Sequence, residues 1–243
     1  MTPLLVPGRV AVVGRGRLGS VLVAALPAAG PFGRGWDGAG HDVVLLCVPD
    51  AEIPAAAAAL APRPGLLVGH CSGATGLDVL APHEAFSLHP LMAVPRGGAP
   101  LAGAGGAVAG ATPRALEAAR LLAARLDLHV VEVADDDRAA YHAAASAASN
   151  FLVTLEDAAE RLLPAGAGRE LLVPLVRATV EHWAALGPER ALTGPIARGD
   201  HATVARQRAA VQARQPELLP LWDALTDATT RLAAREPVGA AAP

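Results

Sequence analysis

The chain contains no lysine, and all twenty of its cationic side chains are arginine. This absence excludes three kinds of chemistry: Schiff-base formation by a lysine, phosphate binding by the lysine of a Walker-type loop, and proton donation by a lysine general acid. Whatever the protein does, it does without that residue.

Cysteine, long apolar runs and positive charge are also scarce. Cys47 and Cys71 each lie in an apolar strand-like run without a C-x-x-C pattern, so we expect reduced core thiols in a cytoplasmic protein. No apolar run is long enough to cross a bilayer, so we expect no membrane-spanning helix. The first residues lack the basic and apolar regions of a signal peptide, so we expect none. The net charge of −3 offers no basic field for nucleic acid or an acidic membrane. No cluster of potential ligands has metal-binding spacing, and no metal is predicted.

Short apolar runs alternate with helix-like segments in the first half of the chain. The predicted strands are residues 9–14, 42–49, 65–72, 84–91, 105–111 and 128–133. Thr112 followed by Pro113 is typical of a helix start. Residues 26–42 contain no convincing strand. The alternation predicts an α/β Rossmann-like, doubly wound and mostly parallel sheet.

The pattern becomes purely helical after an acidic run at residues 135–137, which places negative charge at a helix start. Helix-period segments cover residues 136–163, 168–186, 200–213 and 216–235. We therefore predict a Rossmann-like domain over residues 1–134, an all-helical domain over 135–236, and a disordered tail over 237–243.

A G-x-G-x-x-G pattern follows the first predicted strand and opens a helix, which is the context that gives this weak motif its meaning. Gly14 permits the tight turn, Gly16 lets the backbone approach a pyrophosphate, and Gly19 lets the helix pack on the strand. The anion then lies at the helix N-terminus. The predicted cofactor-binding residues of this loop are Gly14, Arg15, Gly16, Arg17, Leu18 and Gly19.

The choice of nucleotide depends on the segment where the ribose-binding acid of NAD-dependent enzymes usually lies. Residues 26–42 place no acid there, whereas Arg34 is available to bind a 2′-phosphate, with Arg15 nearby. This favours NADP(H), although a solvated loop arginine explains Arg34 equally well.

The chain resembles a known family over nearly its whole length, with the matching segments in the expected order. These segments are "VGRGRLG", "LLCVPDAEI", "GHCSGATGLDVL", "FSLHPLM", "YHAAASAASNFLV" and "LTGPIARGD". In that family a Rossmann-like domain precedes a helical domain of the 6-phosphogluconate-dehydrogenase C-terminal type, known as DUF2520. Its wider superfamily includes pyrroline-5-carboxylate and ketopantoate reductases. The resemblance implies NADPH-dependent reduction of a small carbonyl or imine compound, and a homodimer formed through the helical domain. Relatives would have several more residues around Gly30–Gly35, so the adenosine-ribose contacts do not carry over.

Lysine-using relatives place their proton donor on the first helix of the helical domain, with an asparagine one turn later. His142 lies on the corresponding helix, and histidine is the side chain most often used as a general acid, so we predict it as the replacement donor. Ser146, Ser149 and Asn150 fall on the same helical face, where we expect them to bind substrate or nicotinamide. The alternative is a set of hydrogen bonds between packed alanine-rich helices.

Ligands of open α/β sheets lie beyond the carboxyl ends of the strands. We therefore expect His89, a second catalytic candidate, to cluster there with Ser72 as a substrate ligand. Val48, Pro49 and Asp50 are expected to contact the cofactor at the same edge. His89 before a proline is equally compatible with a structural role, Asp50 with a cap of the helix at Ala51, and His70 with a hydrogen-bonded core histidine.

The loop "TGPIARGD" supplies two further candidates. Arg198 is suited to bidentate binding of a substrate carboxylate, and Thr193 to hydroxyl donation. A structural turn with Arg198 in an ion pair is the alternative, and Asp200 is expected to cap the next helix.

Taken together, these residues predict an NADPH-dependent reductase of a small 2-oxo compound that carries a carboxylate, with ketopantoate as the named candidate. An imine reductase resembling pyrroline-5-carboxylate reductase, and an NADP-binding sensor or scaffold without catalysis, are the alternatives.

Overall fold

The computed structural model describes residues 8–235, so the predicted tail at residues 237–243 lies outside the described part. Two compact units make up the chain, the first ending at Asn150 and the second beginning at Phe151. The helix that carries Tyr141 and His142 therefore belongs to the same compact unit as the sheet.

The first unit is built on a seven-stranded sheet in the order β2-β1-β3-β4-β5-β6-β7. All neighbouring strands are parallel except β5 and β6, which are antiparallel. The strands are β1 Val10–Val13, β2 Ala29–Phe32, β3 Val43–Leu46, β4 Leu67–His70, β5 Glu84–Leu91, β6 Gly105–Gly110 and β7 His129–Glu132. The predicted doubly wound, mostly parallel α/β fold is confirmed.

The expectation that residues 26–42 hold no strand is wrong. β2 pairs with β1 in that region at the edge of the sheet, with an irregular register between Ala11 and Val13. Its sequence, Ala-Gly-Pro-Phe, contains two residues that are depleted in strands, which hides it from propensity. Proline is tolerated because an edge strand needs only one row of ladder hydrogen bonds.

Buried apolar side chains line both faces of the central strands. Val43 and Leu45 pack with residues of helices α1 (Arg17–Ala25) and α3 (Pro113–Arg125). Val44 and Leu46 point the other way and pack with helix α2 (Ile53–Ala58). Since successive strand residues face opposite sides, two covered faces require an uninterrupted apolar run, as the sequence shows.

The start of helix α3 follows the capping chemistry that the sequence predicts. The Thr112 hydroxyl accepts a hydrogen bond from the Ala115 backbone N–H at the start of α3.

Helix α4 (Arg138–Ser146) runs into a π-helical turn at Ala147–Phe151. The predicted continuous helix over 136–163 is therefore interrupted by one wider turn before α5 (Leu152–Leu162).

All regular secondary structure in the described part of the second unit is helical. It comprises α5, α6 Val173–Leu186, α7 Pro188–Ala191, α8 His201–Arg214 and α9 Leu219–Ala233, with short 3₁₀ turns before α6 and α9. Asp200 caps α8 as predicted, since its carboxylate accepts a hydrogen bond from the Thr203 backbone N–H. Val211 is the only fully buried hydrophobic residue among the described residues of this unit. From residue 8 to residue 235, no helix combines the length and apolar character needed to span a membrane.

Candidate functional site: a cleft at the strand ends

The loop after β1 has the backbone geometry of a phosphate-binding turn. Gly14 adopts a φ of +118°, and a Cβ there would lie 2.2 Å from the Cys47 carbonyl oxygen. A Cβ on Gly19 would lie 2.0 Å from the Gly14 carbonyl oxygen, so α1 packs directly on the turn. These two positions accept only glycine for the reasons that the motif predicts.

Gly16 has a different environment from the other two glycines of the motif. No atom lies within 4 Å of the position of its Cβ, so the backbone is open on that side. Gly16 is also the N-cap of α1, whose first turn has no acidic residue and contains Arg17. The loop therefore leaves space for an anion at a helix N-terminus, and its residues fit a dinucleotide pyrophosphate.

A cleft of about 420 Å³ extends from this loop along the carboxyl ends of the strands. The predicted cofactor residues that line it are Gly16, Arg17, Leu18, Val48, Pro49 and Asp50. Cys47 and Cys71 also line it, with their sulfur atoms 3.6 Å apart. The contact with Cys47, together with burial, raises the pKa of the Cys71 thiol and keeps it protonated.

A second cleft, of about 560 Å³, shares His89 and Met92 with the first and continues along α4 and the π-helical turn. The predicted residues that line it are His89, His142, Ser146, Ser149 and Asn150. These polar residues therefore lie along one wall of the cleft. A π-helical turn changes the angular spacing of side chains, and such turns often occur at functional sites.

Tyr141 and His89 form a hydrogen bond at the junction of the two clefts. The Tyr141 hydroxyl lies 2.9 Å from His89 Nδ1, and the two rings meet edge to face with centroids 5.6 Å apart. Burial, assisted by the nearby His142 imidazole, lowers the pKa of His89 to about 4. Burial also raises the pKa of the Tyr141 phenol. Near neutral pH the pair therefore consists of a neutral imidazole and a protonated phenol.

Gly73 provides the space in which the two imidazoles lie. A Cβ there would be 2.8 Å from His89 Cε1, 3.0 Å from His89 Nδ1 and 3.1 Å from His142 Cδ2. Gly73 follows the end of β4, and His89 lies in β5. An added side chain at this position would therefore have to displace the two rings that pack against it.

Asp50 and Ser72 are hydrogen bonded to each other across the ends of β3 and β4. The Ser72 hydroxyl donates to Asp50 Oδ2 at 2.7 Å, and the backbone N–H groups of Ala74 and Thr75 donate to Ser72 Oγ. The 3₁₀ turn that contains Asp50 has no side-chain cap, so the capping interpretation of this residue is wrong. Ser72 is buried and orients Asp50, which itself lines the cleft.

His70 is fully buried and hydrogen bonded through both ring nitrogens. Its Nε2 lies 3.2 Å from the Gly76 carbonyl oxygen, and its Nδ1 accepts from the Ser72 backbone N–H. Burial lowers the pKa of His70, so the ring is a neutral part of the core.

Arg34 lies just beyond the end of β2, with most of its side chain exposed, and forms an ion pair with Glu52. Glu52 follows β3 and approaches Arg34 only in the folded chain. The structure thus places both an arginine and an acid at the end of the second strand, where the sequence indicated an arginine alone. Arg15 lies beside this segment, 3.9 Å from the position of a Cβ on Gly33.

Thr193 and Arg198 belong to the second unit. Thr193 lines a cavity of about 220 Å³ within that unit, together with Trp222 and residues of α8 and α9. The Arg198 backbone N–H donates to the Gly194 carbonyl oxygen, and its side chain is exposed. Across residues 8–235 no ion pair involves Arg198, so the ion-pair interpretation of this arginine is wrong.

Sequence reasoning missed Tyr141, Met92, Glu52 and Arg138. Tyr141 is the only tyrosine of the chain and stands next to His142, which was a signal that could have been used. Arg138 is almost fully buried and donates to Ser87 Oγ at 2.9 Å and to Asp135 Oδ1 at 2.5 Å. It thereby fixes the start of α4 to the sheet, a role that nothing in the local sequence indicates.

Comparisons with known proteins give two family matches. The profile described as a domain of unknown function, DUF2520, matches residues 106–229, and a Rossmann-like domain profile matches residues 36–95. No functionally curated protein matches the chain.

Several solved structures share the fold. A Bacteroides fragilis protein, BF3122, provisionally described as an NADP oxidoreductase, has a TM-score of 0.75 at 17% identity, over 93% of this chain and 99% of that chain. Protein TM1727 from Thermotoga maritima has a TM-score of 0.74 at 22% identity, over 92% and 98%. The Plasmodium falciparum pyrroline carboxylate reductase with NADP bound has a TM-score of 0.58 at 12% identity, over 95% and 100%.

Proposed function

The chain belongs to the DUF2520 family, whose profile covers just over half of it, and we propose that it is an NADPH-dependent reductase of a small carbonyl or imine compound. The observation that carries this proposal is the pair of clefts that meet at His89 and Met92. One begins at the open phosphate loop, and the other ends at the polar wall of α4. This is the arrangement needed to bring a nucleotide and a small molecule to one point.

The nucleotide is held by the glycine loop and by the strand ends. The N-terminus of α1 and the open face of Gly16 bind the pyrophosphate, while Val48, Pro49 and Asp50 line the path toward His89. When bound, NADPH supplies the hydride that reduces the substrate. The Plasmodium neighbour, which shares this fold, was solved with NADP bound. Arg34 is the proposed 2′-phosphate ligand, in competition with its ion pair to Glu52.

The substrate binds along α4 in the second cleft. His142 and His89 approach its reacting group, and Asn150, the only asparagine of the chain, donates and accepts hydrogen bonds beside it. Ser146 and Ser149 contact its polar substituents. The proposed substrate is a 2-oxo compound with a carboxylate, of which ketopantoate is one candidate. Arg198 and Thr193 stay predicted substrate-binding residues on the chemistry of their side chains.

A cyclic imine is the second candidate substrate. It is favoured by the similarity in fold to the Plasmodium pyrroline carboxylate reductase.

The test is to measure NADPH binding by cofactor fluorescence, and then NADPH oxidation with 2-oxo acids, neutral ketones and cyclic imines. Turnover of one class identifies the reaction. Tight NADPH binding without turnover of any compound would contradict the reductase and favour a nucleotide-binding sensor. Arg198→Ala, compared with Arg190→Ala on α7, should raise KM for carboxylate substrates alone.

We further propose that the second unit forms a homodimer. Among the described residues of this unit, nine large hydrophobic side chains are exposed, including Trp183 at 58%, Leu175 at 64% and Val153 at 69%, and only one hydrophobic residue is fully buried. An exposed apolar surface of this extent is typical of an obligate interface. Trp183→Asp should yield a monomer in light scattering, whereas Arg190→Asp should not. A monomeric wild type would contradict the proposal.

A further inference from the structure

We propose that Tyr141, and not His142, donates the proton to the reduced substrate, and that His89 positions the Tyr141 phenol and returns a proton to it. The inference rests on the proposed function, because it assigns a step within that reaction. The sequence alone pointed to His142 as the proton donor and indicated no role for Tyr141.

The first support is the placement of the phenol. Tyr141 lines the substrate cleft on α4, and its hydroxyl is held by His89 Nδ1 at 2.9 Å from across the cleft junction. The two groups come from different elements, 52 residues apart in sequence, so the contact is a product of the tertiary fold. A proton donor needs this kind of fixed position within hydrogen-bond reach of the reacting atom.

The second support is the contrast with His142. Its side chain is exposed, and within the described part of the chain it has no hydrogen-bond partner. Its ring lies 6.3 Å from that of His89, between centroids, and meets it edge to face. His142 therefore restricts the space around His89 and disfavours a positive charge on it, whereas Tyr141 is hydrogen bonded to His89.

The third support is the direction in which the proton can move. A phenol has one proton, so if His89 Nδ1–H donates to the Tyr141 oxygen, the Tyr141 O–H is free to point into the cleft. After hydride reaches the carbonyl carbon, the Tyr141 O–H bond breaks and an O–H bond forms on the substrate oxygen. The phenolate takes the Nδ1 proton of His89 while His89 Nε2 takes a proton from the solvent in the same step, so the ring stays neutral. Exchange with the solvent then restores the Nδ1–H tautomer. The sum is one hydride and one proton added to the carbonyl.

The groups around His89 are compatible with a neutral ring that relays a proton. Burial of the ring is the main cause of its lowered pKa, the charges of His142, Arg138 and His70 lower it further, and Asp50 opposes them. A neutral imidazole has one N–H and one acceptor nitrogen, which is the state that a relay requires.

The first test uses the fact that Tyr141 is the only tyrosine. The ultraviolet absorbance of phenolate then reports this one group without any substrate. A donor N–H on His89 stabilises the phenolate, so His89→Leu should raise the pKa of the phenol. His89→Asn, which keeps an N–H near the position of Nδ1, should restore it toward the wild-type value. The exposed His129→Leu on β7 is the control and should change nothing. A lowered or unchanged pKa in His89→Leu would overturn the assignment of donor and acceptor.

The second test uses turnover. Tyr141→Phe should lower kcat by about 10²-fold, the usual scale for loss of a general acid, while NADPH binding and KM stay near wild type. Replacement of Tyr141 by fluorotyrosine lowers the pKa of the phenol and should move the alkaline limb of the kcat profile by the same amount.

The outcomes separate the two proposals. Wild-type kcat in Tyr141→Phe together with a loss in His142→Ala would overturn this inference and leave the reductase in place. No turnover by the wild type with any carbonyl or imine compound would overturn the reductase itself.

Discussion

Gly73→Ala tests the packing of the candidate site in a single substitution. The new methyl group would lie 2.8–3.1 Å from atoms of His89 and His142, so both rings must move by several tenths of an ångström. Movement of His89 stretches its 2.9 Å contact with Tyr141. Overpacking of this kind costs about 1–3 kcal/mol, and we expect the lower end because one of the rings is exposed. The melting temperature should fall by about 2–4 °C.

The effect of Gly73→Ala on catalysis should be larger than its effect on stability. A displacement of a catalytic group by about 1 Å can cost on the order of 10²-fold in rate, and we expect kcat to fall by about 10-fold or more. The assay is NADPH oxidation under saturating substrate, with thermal unfolding in parallel. Gly97→Ala is the matched control, since no atom lies within 4 Å of its Cβ position.

A double variant separates packing from other causes. His142→Ala removes one of the two rings that the new methyl group meets, so the loss of stability in Gly73→Ala/His142→Ala should be smaller than the sum of the two single losses. The reasoning would be refuted if Gly73→Ala behaved like Gly97→Ala in both melting temperature and kcat.

Three further predictions concern the nucleotide site, the acid stability and a helix cap. Arg34→Ala should raise KM for NADPH far more than for NADH. Glu52→Gln releases Arg34 from its ion pair and should lower KM for NADPH. Equal effects on both nucleotides would contradict the 2′-phosphate assignment. Because the pKa of His89 falls from 6.5 to about 4 on folding, the unfolded state binds more protons between these values, and stability is lost as the pH falls through that window. The full pKa shift corresponds to about 3 kcal/mol, and the partial exposure of the ring reduces this to about 2 kcal/mol. His89→Leu should lose this pH dependence of the unfolding free energy in urea titrations, whereas His129→Leu should keep it. Thr112→Ala should destabilise α3 by about 1 kcal/mol in thermal unfolding, whereas Thr112→Ser should retain the cap; equal loss in both would show that the hydroxyl is not the source.

The sequence predicted the sheet well wherever strands are buried on both faces. Their continuous apolar runs, such as residues 42–49, are a local signal that needs no knowledge of the neighbours. β2 was missed because it is an edge strand of Ala-Gly-Pro-Phe, whose pairing with β1 depends on the tertiary structure and not on propensity. The glycine loop was predictable because each of its glycines answers a local backbone requirement.

The candidate site was predicted in part. His89 could be proposed from the strand-end rule, and His142 and Asn150 from helical periodicity together with the resemblance to the family. The structure added the partners that lie far away in sequence: Glu52 beside Arg34, and Tyr141 on His89.

By itself, then, the sequence determined the alternation of strands and helices, the backbone of the phosphate loop and the absence of any lysine for catalysis. These are properties of neighbouring residues and of composition. Only the tertiary structure decided which polar groups meet, because β5 and α4 approach each other through side chains that stand 52 residues apart. Hydrogen bonding and burial set the protonation of His89 and Tyr141, and both depend on what the fold brings near.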